Sequence, residues 1–195
     1  MILLFILFPA IIYSQKINND NLIVNRNIFR LVATEPLDKD YETSNIVSFN
    51  YEHKIRTVFS LVSKLGIATS VKKTGTDSNP YRISFHLYSS IEGRYYFTLK
   101  RRLRKEKSIL NFSGPYIGFE QNLFTNPIAL INQTKKNAFE GYTATYLNLG
   151  YQKQISRLYL AAYIGAQLKS KDFTKFDIGR SLRTFHAGIS IGYVF

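Results

Sequence analysis

Residues 184–195 read TFHAGISIGYVF, and this stretch alternates between two kinds of side chain. One face is apolar and aromatic, and it consists of Phe185, Ala187, Ile189, Ile191, Tyr193 and Phe195. The other face is mostly small or polar. A period of two predicts a β-strand with one apolar face. The stretch is also long enough to cross a bilayer when tilted.

Seven further blocks with the same alternation precede it along the chain. They are residues 27–34, 45–53, 57–72, 81–94, 115–124, 142–153 and 157–169. The weakest is 27–34, and the sequence leaves open whether it joins the sheet. Eight such blocks predict an all-β, eight-stranded, antiparallel up-and-down transmembrane β-barrel. Closing the sheet removes its edges, which hydrocarbon requires because unpaired backbone groups are costly there.

The connections between blocks alternate in length, as in membrane barrels with short periplasmic turns and longer outer loops. The tight ones, 53–56 and 153–156, are predicted to be periplasmic. The longer polar ones are predicted to be extracellular, namely 35–44, 73–80, 126–141 and 170–181. The segment 95–113 breaks this pattern, since it is long yet falls on the periplasmic side.

The first residues predict an export signal. Residues 2–13 are apolar apart from Pro9, too short to span a bilayer as a helix but typical of a signal-peptide core. Ser14 offers a small residue for cleavage, and polarity starts at Gln15. The expected organisation is a signal peptide over 1–14, an N-terminal periplasmic segment over 15–26 and the barrel over 27–195. The alternative is an N-terminal anchor or a buried strand.

Composition agrees with a barrel. The chain has 195 residues, with 15 Phe, 14 Tyr and no Trp or Cys. Such aromatic density favours strands, and the absence of Cys rules out disulfides. The formal net charge is +13. This excess indicates either a solvated surface or attraction to a polyanion, and the export signal argues against nucleic acid.

The segment 95–110 is the most unusual stretch. It carries a basic cluster formed by Lys100, Arg101, Arg102, Arg104, Lys105 and Lys107. Phe97 or Leu99, together with Leu103 and Leu110, predicts one apolar side of a short helix. The segment is therefore interpreted as an amphipathic periplasmic element that meets anionic phospholipid heads or a periplasmic partner. A solvated basic loop is the alternative.

Several charged and polar side chains are predicted to face inward as an interior network. They are Glu52, Lys64, Arg82, His86, Glu92, Arg94, Glu120 and His186. Because lone buried charges are costly, these groups should pair. His186 shares a face with Ser190, and His86 with Ser84, which leaves a hydrolase open. No histidine stands in a metal-binding pattern, so no metal, cofactor or catalytic residue is expected.

The terminal strand, the eight blocks and the export signal together resemble small porin-family, OmpA-like outer-membrane barrels. The segment Glu92-Gly93-Arg94-Tyr95-Tyr96-Phe97, followed by the Lys/Arg run and Phe112-Ser113-Gly114, is similar to envelope barrels of this length. The resemblance implies a monomer in the outer membrane of a Gram-negative bacterium. It also implies that barrel-assembly machinery reads the final strand through Phe185, Ile189, Ile191, Tyr193 and Phe195.

The expected partners are outer-membrane lipid and, through basic residues near the outer rim, lipopolysaccharide. The residues of that rim are Lys135, Lys136, Lys169, Lys171, Lys175, Arg180 and Arg183. A solvated rim without a bound partner is the alternative.

The expected function is non-enzymatic, with a structural, binding or adhesion role in the envelope. An eight-stranded barrel is only wide enough inside for its own side chains, so an open diffusion pore is not expected. One alternative is an outer-membrane enzyme that modifies lipid A or phospholipid. A second is a secreted, soluble, lipocalin-like barrel, which would turn its large apolar face inward.

Overall fold

The computed structural model describes residues 26–36, 44–73, 81–105, 112–131, 141–172 and 185–195. The predicted signal peptide, most of segment 15–26, the loops 37–43, 74–80, 132–140 and 173–184, and Lys107 lie outside these ranges. Nine strands and one helix are found in the described part. They are β1 (Asn27–Pro36), β2 (Ser44–Arg56), β3 (Phe59–Lys73), β4 (Tyr81–Tyr95), α1 (Leu99–Arg104), β5 (Gly114–Phe124), β6 (Ala129–Ile131), β7 (Tyr142–Ile155), β8 (Leu158–Asp172) and β9 (Phe185–Val194).

Eight of the strands close into an antiparallel up-and-down barrel. Each long strand pairs with its neighbours along the chain, and β5 pairs directly with β7. β1 completes the ring, since Ala33 lies opposite Val47 of β2 and Ile191 of β9. The predicted eight-stranded, antiparallel up-and-down barrel is therefore confirmed, and its weakest block is a full member of the sheet.

β6 is the one strand that the periodicity did not predict. It spans three residues, too few for an alternating pattern to show. After β5 ends, the Thr125 N–H donates to Leu87 O at 3.0 Å and the Ile128 N–H to Phe85 O at 2.8 Å. β6 then pairs with residues 83–85 of β4. It thus extends the β5 side of the barrel along β4.

The connections divide the barrel into two ends. The turn end carries the two-residue turns 57–58 and 156–157 together with the segment 96–113, and the loop end carries the other four connections. The turns lie a few residues later than predicted, because β2 and β7 continue to Arg56 and Ile155. In the second turn Ser156 adopts a left-handed conformation, with φ of 54°.

The two faces of the wall differ sharply. Large hydrophobic side chains from all eight long strands are exposed and form what we call the outer apolar band. On the central parts of the strands the band includes Leu31, Phe49, Leu65, Ile67, Leu87, Ile91, Ile117, Phe119, Leu147, Leu149, Leu160, Ile164, Ile189 and Ile191. Charged and polar side chains are buried inside. No helix within the described ranges is long and apolar enough to cross a membrane.

Candidate functional site

The interior of the barrel nearest the turn end is organised around the Glu52 carboxylate, which is fully buried. Arg30 of β1 pairs with it at 2.7 Å. The hydroxyls of Ser60 and Tyr96 donate to it at 2.6 and 2.8 Å. The Gln152 amide approaches it at 3.5 Å. Three other strands and the residue that follows β4 therefore converge on one anion.

A second ion-pair group lies further along the axis. The Lys64 Nζ is 2.9 Å from Glu92 and 2.7 Å from Glu120. Arg94 pairs with Glu92 at 2.6 Å and donates to Gln152 at 2.6 Å, which joins this group to the first. Glu120 also accepts hydrogen bonds from Ser90 at 2.7 Å and from Asn148 at 2.8 Å. Each carboxylate thus faces at least one cation, as burial in low dielectric requires.

Aromatic rings cover the two guanidinium groups. Arg30 lies over the Tyr159 ring and Arg94 over the Tyr116 ring, each 4.4 Å from the ring centroid. Room for these large groups comes from inward-facing glycines. A Cβ at Gly150 would collide with the Tyr116 ring, and a Cβ at Gly118 would collide with the Glu92 carboxylate. Small residues opposite large ones are a general device for filling narrow barrels.

An apolar cluster, which we call the plug, lies at the turn end. It consists of Val58, Tyr96, Leu99, Phe112 and Tyr116, all of them buried. The Tyr96 and Phe112 rings stack with centroids 4.6 Å apart. The buried Lys54 Nζ lies 4.4 Å from the centroid of the Phe112 ring. The described parts of the segment 96–113, residues 96–105 and 112–113, therefore contribute Tyr96, Leu99 and Phe112 to this cluster.

Tyr96 links the plug to the charged interior, because its hydroxyl donates to Glu52. It is the first residue after β4 and is completely buried. Burial raises the pKa of Tyr96 well above its usual range, and the adjacent Glu52 carboxylate adds to the effect. The phenol is therefore held protonated as a donor.

Towards the loop end the network gives way to a cavity of about 110 Å³. Its walls mix aromatic and polar side chains, among them Tyr88, Tyr146, Tyr163, Asn122 and Asn148. Lys64 and Glu120 also line it. A volume of this size suits a few water molecules or a very small solute.

The two inward histidines differ in their partners. The His86 Nδ1 lies 2.9 Å from the Thr125 carbonyl oxygen, which can only accept. In neutral His86, Nδ1 is therefore the donor and Nε2, 2.9 Å from Ser84 Oγ, accepts from that hydroxyl. His186 instead contacts Asn148 at 2.7 Å and stacks on Tyr146. Ser190 bonds to Thr34 at 2.9 Å.

The structure thus brings together most of the predicted interior residues: Glu52, Lys64, Glu92, Arg94 and Glu120 share one bonded network, and His186 joins it through Asn148. His86 lies nearer the loop end, bonded to Ser84 and the Thr125 carbonyl. Arg82 belongs to β4, but its side chain lies outside the described part. No three His, Cys, Asp or Glu residues in the described ranges are grouped as a metal site would need.

The other predicted residues lie on the surface. In the basic segment Lys100, Arg101, Arg104 and Lys105 are exposed, and Arg102 is half-buried. On the final strand Ile189, Ile191 and Tyr193 belong to the outer apolar band, which Phe195 extends at the turn end. The side chain of Phe185 is not described.

The sequence reasoning missed the plug and the role of Gln152. Tyr96 and Leu99 belong to the basic segment, beyond the predicted strand 81–94. Tyr96 keeps the inward parity of Glu92 and Arg94, whereas Leu99 breaks it. Val58 stood in a predicted strand and Phe112 in a predicted loop. The available clue was that a long, apolar-studded connection fell on the side of the barrel that otherwise has tight turns.

Comparison with known proteins adds no relative to this picture. None of the protein-family models matches the chain, and no curated protein matches it in sequence. The function is therefore inferred from the geometry of the barrel.

Proposed function

We propose that the chain is a monomeric outer-membrane β-barrel of a Gram-negative bacterium, exported by residues 1–14, with a closed bore and a structural or binding role. The observation that carries this proposal is the inverted distribution of side chains. Large apolar groups of every long strand face outward while buried ion pairs fill the centre. A soluble barrel would bury those apolar groups, because their exposure to water costs roughly 25 cal/mol per Å².

The same distribution speaks against the lipocalin-like alternative. That alternative needs a large apolar face around an enclosed ligand space. The inward residues are instead charged or polar along much of the axis, and the side chains that would bind an apolar ligand lie on the outer surface. The outer apolar band matches the lipid-facing surface of a membrane barrel.

A closed bore is supported by two layers of obstruction. The plug covers the turn end, and the ion-pair groups around Glu52 and Lys64 fill the section above it. Passage of an ion would require several buried charge pairs to separate. We therefore place the function in the surfaces of the barrel, through envelope integrity or binding, rather than in transport.

Reconstitution into phospholipid vesicles tests the proposal. The mature chain should fold there to a form that migrates differently on an unboiled gel, and it should give no steady single-channel current in a planar bilayer. A chain that stays monomeric in plain buffer without detergent would contradict the membrane assignment. Steady conductance would contradict the closed bore.

Leu149→Arg sharpens the test. Leu149 is 52 % exposed in the middle of β7, within the outer apolar band. In lipid a midplane arginine should cost about 2–4 kcal/mol and lower the folded yield. In a water-soluble barrel the same exposed substitution should be harmless. Thr57→Arg, in an exposed turn outside the band, is the matched control and should fold normally in both cases.

A lipid hydrolase is the second candidate, favoured by the Ser84–His86 contact alone. The hydroxyl is aimed at the accepting nitrogen of a histidine whose other nitrogen is held by a carbonyl, which is the arrangement that activates a nucleophile. Turnover of lipid A and phospholipid by the folded protein would support it if Ser84→Ala abolished the activity and Ser60→Ala did not. No turnover above background would remove this candidate.

A further inference from the structure

The surface of α1 at the turn end carries a set of exposed cations that do not take part in the ion pairs inside the barrel. Lys100, Arg101, Arg104 and Lys105 are exposed and form what we call the basic face. The sequence from residue 96 to 105 contains five basic residues and no acid. Glu106 is the one acid in the segment 96–113, so the basic residues there far outnumber the carboxylates.

The basic face is held in place by the plug. Leu99, at the start of α1, is completely buried among the plug residues. The Arg102 guanidinium donates to the Ser113 carbonyl at 2.6 Å. This bond holds α1 against the residue that immediately precedes β5. Because these two side chains point inward, the remaining basic residues are directed away from the bore. The helix backbone is therefore already positioned when a ligand binds, which lowers the ordering cost of binding.

Next to the basic face an apolar rim continues the outer apolar band. Phe97 is 45 % exposed, and the rings of Tyr95 and Phe59 contact each other with centroids 4.9 Å apart on the outside of the wall. Ile55 and Ile155 are exposed on the same rim. Aromatic side chains at the edge of an apolar band are typical of the membrane interface. The basic face therefore lies beside the level at which headgroups would sit.

The geometry points to one ligand class: the basic face binds the headgroups of anionic phospholipids, such as phosphatidylglycerol, in the leaflet at the turn end. This inference rests on the proposed membrane function and adds a partner to it. Cations next to an apolar rim suit an anionic headgroup whose acyl chains lie along the band. An acidic protein would leave the adjoining Phe97 without an apolar partner.

Lipid binding can be measured by native mass spectrometry on the folded chain in detergent micelles, with phosphatidylglycerol or phosphatidylcholine added. The wild type should retain phosphatidylglycerol in preference. The triple variant Lys100→Gln/Arg101→Gln/Arg104→Gln should lower that preference at least about tenfold, since each cation at an anionic surface contributes roughly a factor of five. Phe97→Ser should weaken retention of both lipids equally.

The control removes three charges from the opposite end. Lys39→Gln/Lys72→Gln/Lys73→Gln changes two residues at the loop end of β3 and one between β1 and β2 in sequence. It lowers the formal charge of +13 by the same amount and should keep the wild-type preference. Equal loss in both triples, or no loss in the α1 triple, would overturn the inference. Tight capture of an acidic peptide without any lipid preference would do so too.

Salt dependence of the wild type covers the case in which the α1 triple does not fold. Screening shortens from about 10 Å at 0.1 M salt to about 3 Å at 1 M, so the preference for phosphatidylglycerol should collapse over this range. A preference unchanged by salt would contradict the inference. If the chain fails to insert into any membrane, both the proposed function and this inference are wrong. If the barrel folds in a membrane but shows no lipid preference, only this inference is wrong.

Discussion

Glu52→Gln is the substitution that most directly probes how the interior is held together. The side chain keeps its size and can still accept hydrogen bonds from Ser60 and Tyr96. The variant loses the negative charge, which lies 2.7 Å from the Arg30 guanidinium. Both side chains are at most 1 % exposed. The new amide also places a second donor near that cation. The result is a buried charge without its counterion.

Removing one partner of a buried pair costs about 3–5 kcal/mol. Two features of this site place the expected loss within that range. Arg30 has no other carboxylate within ion-pair distance among the described residues. The Tyr159 ring, 4.4 Å from the guanidinium, offsets only part of the loss, since a cation–π contact contributes about 2 kcal/mol when desolvated.

The assay is urea unfolding of the chain folded in vesicles or micelles, followed by the folded band on an unboiled gel. Glu35→Gln is the control, because Glu35 is an exposed carboxylate on β1 and its loss should change the free energy of unfolding by less than about 0.5 kcal/mol. If Glu52→Gln is as stable as this control, the buried pair does not stabilise the barrel in the way argued.

A double variant separates the charge from the packing. Arg30→Met combined with Glu52→Leu removes both charges and fills the space with apolar groups. It should be more stable than Glu52→Gln, because replacing a buried pair as a whole is often neutral while breaking it is not. A double variant at least as destabilised as the sum of its two single substitutions would show that shape, and not charge pairing, is at stake.

Three other predictions follow from the plug and its surroundings. Leu99→Ala should lower the free energy of unfolding by about 2–5 kcal/mol in the same urea assay, because it leaves a cavity in the plug. Gly118→Ala should displace the Glu92 carboxylate and cost about 1–3 kcal/mol through overpacking; an unchanged midpoint would show that the wall yields easily. The raised pKa of Tyr96 means that its contribution to stability is complete below its ordinary pKa near 10 and is lost as pH rises above it. Stability measured between pH 9 and 12 should therefore fall less in Tyr96→Phe than in the wild type.

The fold could be predicted to this extent because side-chain direction in a strand depends only on parity. Once the alternation of residues 184–195 and its repeats was recognised, the outward and inward faces followed without any knowledge of the pairing. Leu149 and Glu120, for example, were assigned to opposite faces from their local pattern alone. The same rule assigned the weakest strand, β1, although only its pairing with β2 and β9 proves its membership.

The partners inside the barrel could not be predicted, because they depend on the register between strands that are distant in sequence. Arg94 meets Gln152, 58 residues away, and Lys64 meets Glu120, 56 residues away. A shift of one strand by two residues would preserve every inward and outward assignment yet exchange these partners. β6 escaped prediction for the opposite reason, since three residues carry too little pattern.

The connection 96–113 shows why a violation of the expected loop lengths can be informative. Membrane barrels usually need only tight turns on one side, so extra length there must do something other than join two strands. In this chain it contributes Tyr96, Leu99 and Phe112 to the plug and directs the remaining basic residues of α1 outward. The two roles depend on one another, since burial of Leu99 fixes the orientation of the helix. A substitution that loosens the plug should therefore also reduce the lipid preference of the basic face, although it touches none of the cations. Leu99→Ala makes this coupling measurable: retention of phosphatidylglycerol should fall in the folded variant even though its net charge is unchanged, and full retention would mean that the basic face acts independently of the plug.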